Sequence, residues 1–283
     1  EKLLQRAQDR GKMALDFECA GLNPHTARVL GMSISIQAGE AFYVPFCQHA
    51  SEDGELFSST GHIDLKEAGR LLNRVLQNPN IRIAAHNARF DYILSRYMGL
   101  DPWKAKILDS MIAAWILESE RASIGLDNLS ADLLGLHGLA FKDIVPKDKT
   151  FADLPLSLAT QYACEDADFT FQLMHELEDR LKAQNKTKLF YDLEMPLVPV
   201  LAEMEIVGIK IDPHQLKTYS LEVEIKLAAV EQEVFQLVGR EFNIASPKQL
   251  QEVLFTERKL KPGKKTKTGY STNVAVLEEL ARE

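Results

Sequence analysis

Two carboxylates, Asp16 and Glu18, flank Phe17 at the end of the apolar run Lys12-Met13-Ala14-Leu15. That run reads as a short buried strand. Side chains alternate along a strand, so Asp16 and Glu18 project from one face, about 7 Å apart, with Phe17 on the other. Such a pair repels, and a bound divalent cation would neutralise it. Taken alone, Asp-x-Glu favours a plainer account, a strand running out into solvent with two surface acids. Positions further along change the balance. Asp91 falls in the first turns of a helix that directly follows a strand, and carboxylates at such junctions face the crevice where α/β proteins bind ligands. Tyr162 and Asp166 stand four apart on a long helix and share a face. In isolation they would be an exposed tyrosine beside an exposed acid, within the acidic run 165–168.

The elements that must position these groups follow from the apolar pattern. After the first strand, residues 21–24 form a turn. Residues 29–36 and 41–45 read as two strands joined by a short polar link containing Gly39, a hairpin signature. Residues 48–64 are polar and irregular. Residues 66–77 place Ala68, Leu71, Leu72, Val75 and Leu76 at helical spacing. A fourth strand is expected at 81–85, a helix from there to Gly99, a short fifth strand at 107–109, and helices at 110–117 and 125–134, with Ser123 read as a cap of the second. Residues 150–155 connect to a helix over 156–181. The polar break at 183–187 is expected to divide a domain at 1–185 from a second at 186–283. Beyond it the pattern is almost wholly helical. Residues 189–207 contain Pro196 and Pro199, so that helix starts late or kinks. Residues 209–211 read as a short extended piece, and Asp212-Pro213 and Ser246-Pro247 each open a helix. Residues 257–272 hold six Lys or Arg against one Glu, read as an exposed mobile loop and, most simply, a solvated charge run. Thr272 is expected to cap a last helix over 273–282.

Composition bounds the class. The chain has 283 residues, 46% hydrophobic and 26% charged, an ordinary globular balance. No apolar run approaches the roughly 20 residues of a membrane helix, and no signal peptide is evident. The first residue is not Met, and the chain is expected to be an internal piece of a longer protein. Cys19, Cys47 and Cys164 form no CxxC pair, as expected of small, buried or half-buried residues in a reducing cytoplasm. A net charge of −8 argues against nucleic-acid affinity over the whole surface but allows a local basic patch.

Together, Asp16-x-Glu18, Asn87-x-x-x-Asp91 and Tyr162-x-x-x-Asp166 resemble, in order and context, the three motifs of the DEDD nucleases of the Tyr subtype. Each is weak alone; three in this order are specific. The chain resembles more closely the proofreading 3′-5′ exonuclease domain of the bacterial family A DNA polymerases, with Cys164 where alanine is commoner and Phe17 and Cys19 in place of threonines. The second part agrees. Residues 194–201 and 208–212 resemble the opening of that family's polymerase domain, and residues 242–250 and 264–272 its thumb and thumb tip. The likeness covers nearly the whole chain, and the palm and fingers of the family would follow Glu283, so the piece is expected not to polymerise.

The resemblance implies a ribonuclease H-like α/β fold, a mixed sheet flanked by helices with three strands in an antiparallel meander, followed by a mainly helical partial thumb. It implies two divalent ions, Mg²⁺ or Mn²⁺ with Zn²⁺ acceptable at one site. In family A enzymes these clamp the attacking and leaving oxygens of a phosphodiester. By similarity Asp16 bridges the ions, Glu18 and Asp166 complete the first site, Asp91 holds the second largely through water, and Tyr162 orients the attacking water. Leu22 and Phe141 match positions that wedge or stack on terminal bases, a sequence-tolerant interaction; each is otherwise an ordinary core residue. Asn87 joins them as a DNA contact or only caps its helix. Lys264, Lys265 and Lys267 match a thumb tip against duplex DNA. The partner implied is DNA, bound by a monomer in the bacterial cytoplasm at the nucleoid. Two other readings compete. A non-catalytic platform keeps the fold but loses the acids, which are all retained here. An RNA-trimming nuclease fits residues 1–182 but not the thumb-like remainder.

Overall fold

The computed structural model describes residues 1–46, 63–263, 265–266 and 269–282. Cys47 and most of the stretch expected to be irregular at 48–64 lie outside the described residues, as do Lys264 and Lys267. The chain forms two compact units, residues 1–208 and 209–283.

The first unit opens on a helix that the strand-and-motif pattern did not reveal, α1 (Lys2–Arg10), which buries Leu4 and Ala7 and stops at Gly11 in the left-handed region, φ 68°. Strands β1 (Lys12–Ala20), β2 (Arg28–Gln37) and β3 (Glu40–Pro45) follow as an antiparallel meander. Then come α2 (Leu65–Leu76), β4 (Arg82–Ala85), α3 (Ala88–Tyr97), β5 (Lys106–Asp109), α4 (Ser110–Leu117) and α5 (Leu126–Leu134). β4 and β5 run parallel to β1, giving a five-stranded mixed sheet in the order β3-β2-β1-β4-β5. β1 and β2 are almost continuously buried, which suits strands covered on both faces. A short helix, α6 (Phe141–Ile144), precedes the 28-residue α7 (Leu156–Ala183), which packs along the sheet. Ser123 accepts from Gly125 N and from Asn128 Nδ2, while Gly125 takes the cap position of α5.

The polar break after α7 is a turn within this unit. Leu189–Glu194 forms a wide π turn that leads into α8 (Met195–Val207). Pro196 takes the first turn of α8 and Pro199 lies inside it, yet the helical backbone runs unbroken from residue 187 through the π turn into α8, so the helix does not start late. Phe190, Met195, Val198 and Ala202 join the main core. Glu203 receives Tyr92 Oη at 2.9 Å and Arg96 Nε at 2.9 Å. The expected boundary at 185 therefore marks a helix end, and the compact unit continues to Gly208.

In the second unit, residues 209–211 are irregular rather than a strand. Asp212 caps the 26-residue α9 (Pro213–Val238), accepting from His214 N at 2.9 Å and Gln215 N at 3.1 Å. α10 (Pro247–Gln251) runs into a π turn at Glu252–Glu257. Strands β6 (Lys265–Thr266) and β7 (Gly269–Tyr270) make a small hairpin inside the basic run expected to be loop. Gln251 holds it, Oε1 accepting from Tyr270 N at 2.9 Å. The last helix, α11 (Val274–Leu280), is capped by Asn273 and not by Thr272: Asn273 Oδ1 accepts from Val276 N.

Candidate active site

β1 delivers Asp16 and Glu18 to one face, and the registers on either side sharpen their placement. Pairing with β2 shifts between Glu18 and Cys19, where Leu30 is the extra residue on β2, so the neighbouring strand bulges beside the second carboxylate. Asp16, Glu18 and Asp166 of α7 offer ligand oxygens all within 4.8 Å of one another. Asp91, one turn into α3, is buried and accepts from Phe17 N at 3.1 Å, which ties α3 to β1 between the two acids. These four acids and Tyr162 line one cleft of about 730 Å³, together with Leu22, His86, Asn87, Phe90, Phe141, Lys149 and Phe151.

Burial and mutual repulsion set the electrostatics. Burial pushes Asp16 up to about 6. Burial and then the neighbouring Asp16, Asp166 and Asp91 carry Glu18 well above the usual carboxylate range. Asp91 and Asp166 are raised for the same two reasons, burial first and then Asp16. Glu18 Oε1 is buried with no hydrogen-bond partner among the described residues. A converging set of hard oxygen donors, one of them orphaned, suits divalent metal ions. Asp91 stands outside the three-acid cluster, as a ligand of a second position would.

Tyr162 stands one turn before Asp166, close enough for each to shift the other's titration. Burial and the surrounding acids push its hydroxyl far above its ordinary value, so it stays protonated. Its ring is held between Phe141 at 6.0 Å and Phe151 at 5.9 Å. Phe151 is buried and packs in turn on Tyr43, and a Cβ on Gly31 would strike that Tyr43 side chain. Phe151 was not legible as a site residue; it sits in a connector whose Thr150–Asp153 capping box closes a single 3₁₀ turn. The other acids of the third motif serve the scaffold. Glu165 accepts from Leu139 N at 2.8 Å, holding the segment that leads to Phe141. Asp168 accepts from Gly39 N at 2.8 Å in the β2–β3 turn.

Leu22 projects almost wholly into solvent at 97% exposure and Phe141 is half exposed, so neither is a core residue. Asn87 occupies the cap position of α3 in the left-handed region, φ 66°, yet its side chain makes no capping bond. Asp109 supplies that bond instead. This buried acid at the end of β5 accepts from Ala88 N at 2.7 Å and Asn87 N at 3.3 Å, and from Met111 N and Ile112 N at the start of α4. Sequence reading passed over it, although a carboxylate just before Ser110 at a helix start was the available signal. His86, pushed down to about 4 by burial, is neutral near pH 7 and hydrogen-bonded to Ser110. The side chains of Lys264, Lys265 and Lys267 lie outside the described residues.

Carboxylates gathered at the end of β1 beside a protonated tyrosine, on a mixed sheet of this order, define a ribonuclease H-like nuclease. The comparisons give the same class. A family model described as 3′-5′ exonuclease matches residues 1–182, and one described as DNA polymerase family A matches residues 213–283. DNA polymerase I of Treponema pallidum is 36% identical over the whole chain, and that of Borreliella burgdorferi 32%; the chain spans 31% and 30% of those proteins, about a third of their length. A solved POL domain of Pol1 from M. smegmatis, in complex with DNA primer-template and dNTP, superposes with a TM-score of 0.76 at 23% identity, covering 99% of this chain and 44% of that one. Brucella melitensis NrnC superposes with a TM-score of 0.55 at 21% identity, covering 72% of this chain and 89% of that one. The chain belongs to the 3′-5′ exonuclease family of the family A DNA polymerases and continues into the start of the polymerase domain.

Proposed function

We propose that this chain is the proofreading exonuclease of a DNA polymerase I, removing mononucleotides from the 3′ end of single-stranded or frayed DNA. The observation that carries this reading is the meeting of Asp16, Glu18 and Asp166 within 4.8 Å. Asp16, Glu18 and Asp166 would hold one divalent ion and Asp16 with Asp91 a second, Mg²⁺ or Mn²⁺, with Zn²⁺ acceptable at one position. When bound, such ions supply Lewis-acid stabilisation of the charge that develops on the phosphate. The relative Brucella melitensis NrnC has been solved with bound Mg²⁺, which supports the assignment.

The chain's own groups orient and exclude. Tyr162 is a hydrogen-bond partner for the attacking water and not a base, since its hydroxyl holds its proton. Its ring packs against Phe141 and Phe151, which favours one aim for the hydroxyl. Leu22 and the exposed edge of Phe141 offer apolar surface to the terminal bases, and Asn87 lines the same cleft. An unpaired end fits best, because Glu18 and Asp91 are buried and Asp16 and Asp166 half-buried in the cleft. In the second unit, Lys264, Lys265 and Lys267 would meet duplex phosphates. No helix among the described residues is long and apolar enough to cross a membrane. By its family the chain would work as a monomer on DNA in the bacterial cytoplasm. The test is digestion of a 5′-labelled single-stranded oligonucleotide with and without Mg²⁺. Metal-dependent shortening from the 3′ end, abolished by Asp166→Ala, is expected; a chain inert under all metals would be a platform rather than a nuclease.

A further inference from the structure

Among the described residues lining the cleft, Lys149 is the one lysine or arginine, against the acids Asp16, Glu18, Asp91 and Asp166. His86 adds no charge there near neutral pH. A single strand brings a phosphate with every nucleotide. Ions held by the carboxylates offset charge at the bottom of the cleft, and the phosphates further along the strand need a different cation.

The segment bearing Lys149 is built from both sides. Before it, Asp148 sits in the left-handed region at φ 67°, and Lys149 N closes the turn onto Pro146 O at 3.1 Å. An aspartate tolerates that conformation better than most residues. After it, Asp153 Oδ2 accepts from both Thr150 N at 2.7 Å and Thr150 Oγ1 at 2.9 Å. Phe151, buried against Tyr43 and Tyr162, pins the same stretch to the cleft wall. The backbone of Lys149 is thus fixed while its side chain stays 57% exposed. Its ion pair, to Asp153 at 3.8 Å, is long and solvated. Exposed pairs of that kind contribute little, so a phosphate competes for the ammonium on good terms.

We propose that Lys149 binds a backbone phosphate of the strand in the cleft, behind the scissile bond, and so sets how the 3′ end enters. The proposal rests on the nucleic-acid reading of the site. The competing role is structural, with Lys149 only closing the turn through Asp153.

Binding of a short single-stranded oligonucleotide, measured at several salt concentrations in an Asp166→Ala background that cannot digest it, separates the two. Each phosphate that a protein cation neutralises steepens the log–log salt dependence by about 0.7 for single strands. Lys149→Ala should therefore flatten the slope by about that amount, so that its affinity deficit shrinks by about 2.6-fold over a fourfold rise in salt. Lys149→Arg should restore the slope, and Asp153→Asn should leave it alone. In the digesting protein Lys149→Ala should raise KM more than it lowers kcat. Equal slopes for Lys149→Ala and its parent, or the same flattening by Asp153→Asn, would overturn the proposal. Failure of the wild-type chain to digest with Mg²⁺ would instead remove the catalytic reading, and the slope difference would still report the phosphate bound at Lys149.

Discussion

Asp109 closes the starts of two helices with one carboxylate, and removing it has a cost that can be worked out. In Asp109→Ala four backbone N–H groups lose their acceptor: those of Asn87 and Ala88 at α3, and of Met111 and Ile112 at α4. Removing one helix cap costs about 1 kcal/mol, with a range of roughly 0.5–2. Two caps sum to about 1–4 kcal/mol, the upper half favoured because the N–H groups are left away from water. The relief of burying one fewer acid, whose pKa burial raises, offsets part of this. Asp109→Asn keeps an acceptor oxygen for Asn87 N, Met111 N and Ile112 N, which share Oδ1, and turns an amide donor toward Ala88 N alone, so it should cost well under half as much. The chain has two tryptophans, Trp103 and Trp115, both in the first unit. Urea unfolding followed by tryptophan fluorescence therefore reads the right transition. Because Asn87 and Asp91 ride on α3, digestion should fall as well, at temperatures where the variant is still folded. A cost for Asp109→Ala below about 0.5 kcal/mol would mean that water replaces both caps, and the reasoning would fail.

Asp166→Ala should remove digestion almost entirely, whereas Tyr162→Phe should slow it roughly ten- to a hundredfold, the worth of one hydrogen bond to a charged partner; kcat on a labelled oligonucleotide compares them. Metal-free stability should depend on pH in a set direction. Asp16, ordinarily near 3.8, sits at about 6 in the folded chain, and Glu18, Asp91 and Asp166 are raised too. The folded state therefore holds protons that the unfolded chain has released, and stability falls as pH rises from 3.8 through about 6. Millimolar Mg²⁺ must displace those protons, so its rise in melting temperature should grow across the same window; a metal effect that does not change with pH would contradict this. In the second unit, replacing Lys264, Lys265 and Lys267 together should flatten the salt dependence of duplex binding, by about 0.9 for each phosphate they neutralise. Digestion of short single strands should hardly change, and equal impairment in both assays would mean that the tip feeds the cleft.

Where a segment's own residues decide its conformation, the sequence revealed the fold. β1 to β5 and α2 to α5 are where apolar period and turn residues put them, within a residue or two at their ends. The departures are places where something distant decides. The break at 183–187 has the composition of a linker, yet Phe190, Val198 and Ala202 return to the core, and nothing local announces what they pack against. The turn at Phe151–Asp153 is too short to carry a period, and its ring is fixed by Tyr43 and Tyr162 from other elements. The basic run offered charge and glycine, which read as loop; its hairpin depends on Gln251 from α10.

The site itself poses a finer question, since acids stand at helix starts and within helices alike and only some face the cleft. Position relative to the helix start separates them. Asp109 immediately precedes α4, where a carboxylate's oxygens reach the first free N–H groups, and all its hydrogen bonds go there or to the neighbouring start of α3. Asp91 is the fourth residue of α3, past the point from which it could cap its own helix. Its oxygen reaches across to Phe17 N, between Asp16 and Glu18, so the position that denies it a local partner makes it available to the site. The same holds for Asp166, deep inside α7 where every backbone N–H is already used. A mid-helix acid that is buried has no backbone donor of its own to satisfy it, and must find a partner elsewhere or share a cation. Glu165 finds Leu139 N and Asp168 finds Gly39 N. Asp166, between them in the chain, meets Tyr162, Asp16 and Glu18. Two of those three partners are themselves anions, which is why a cation, rather than another hydrogen bond, completes the arrangement.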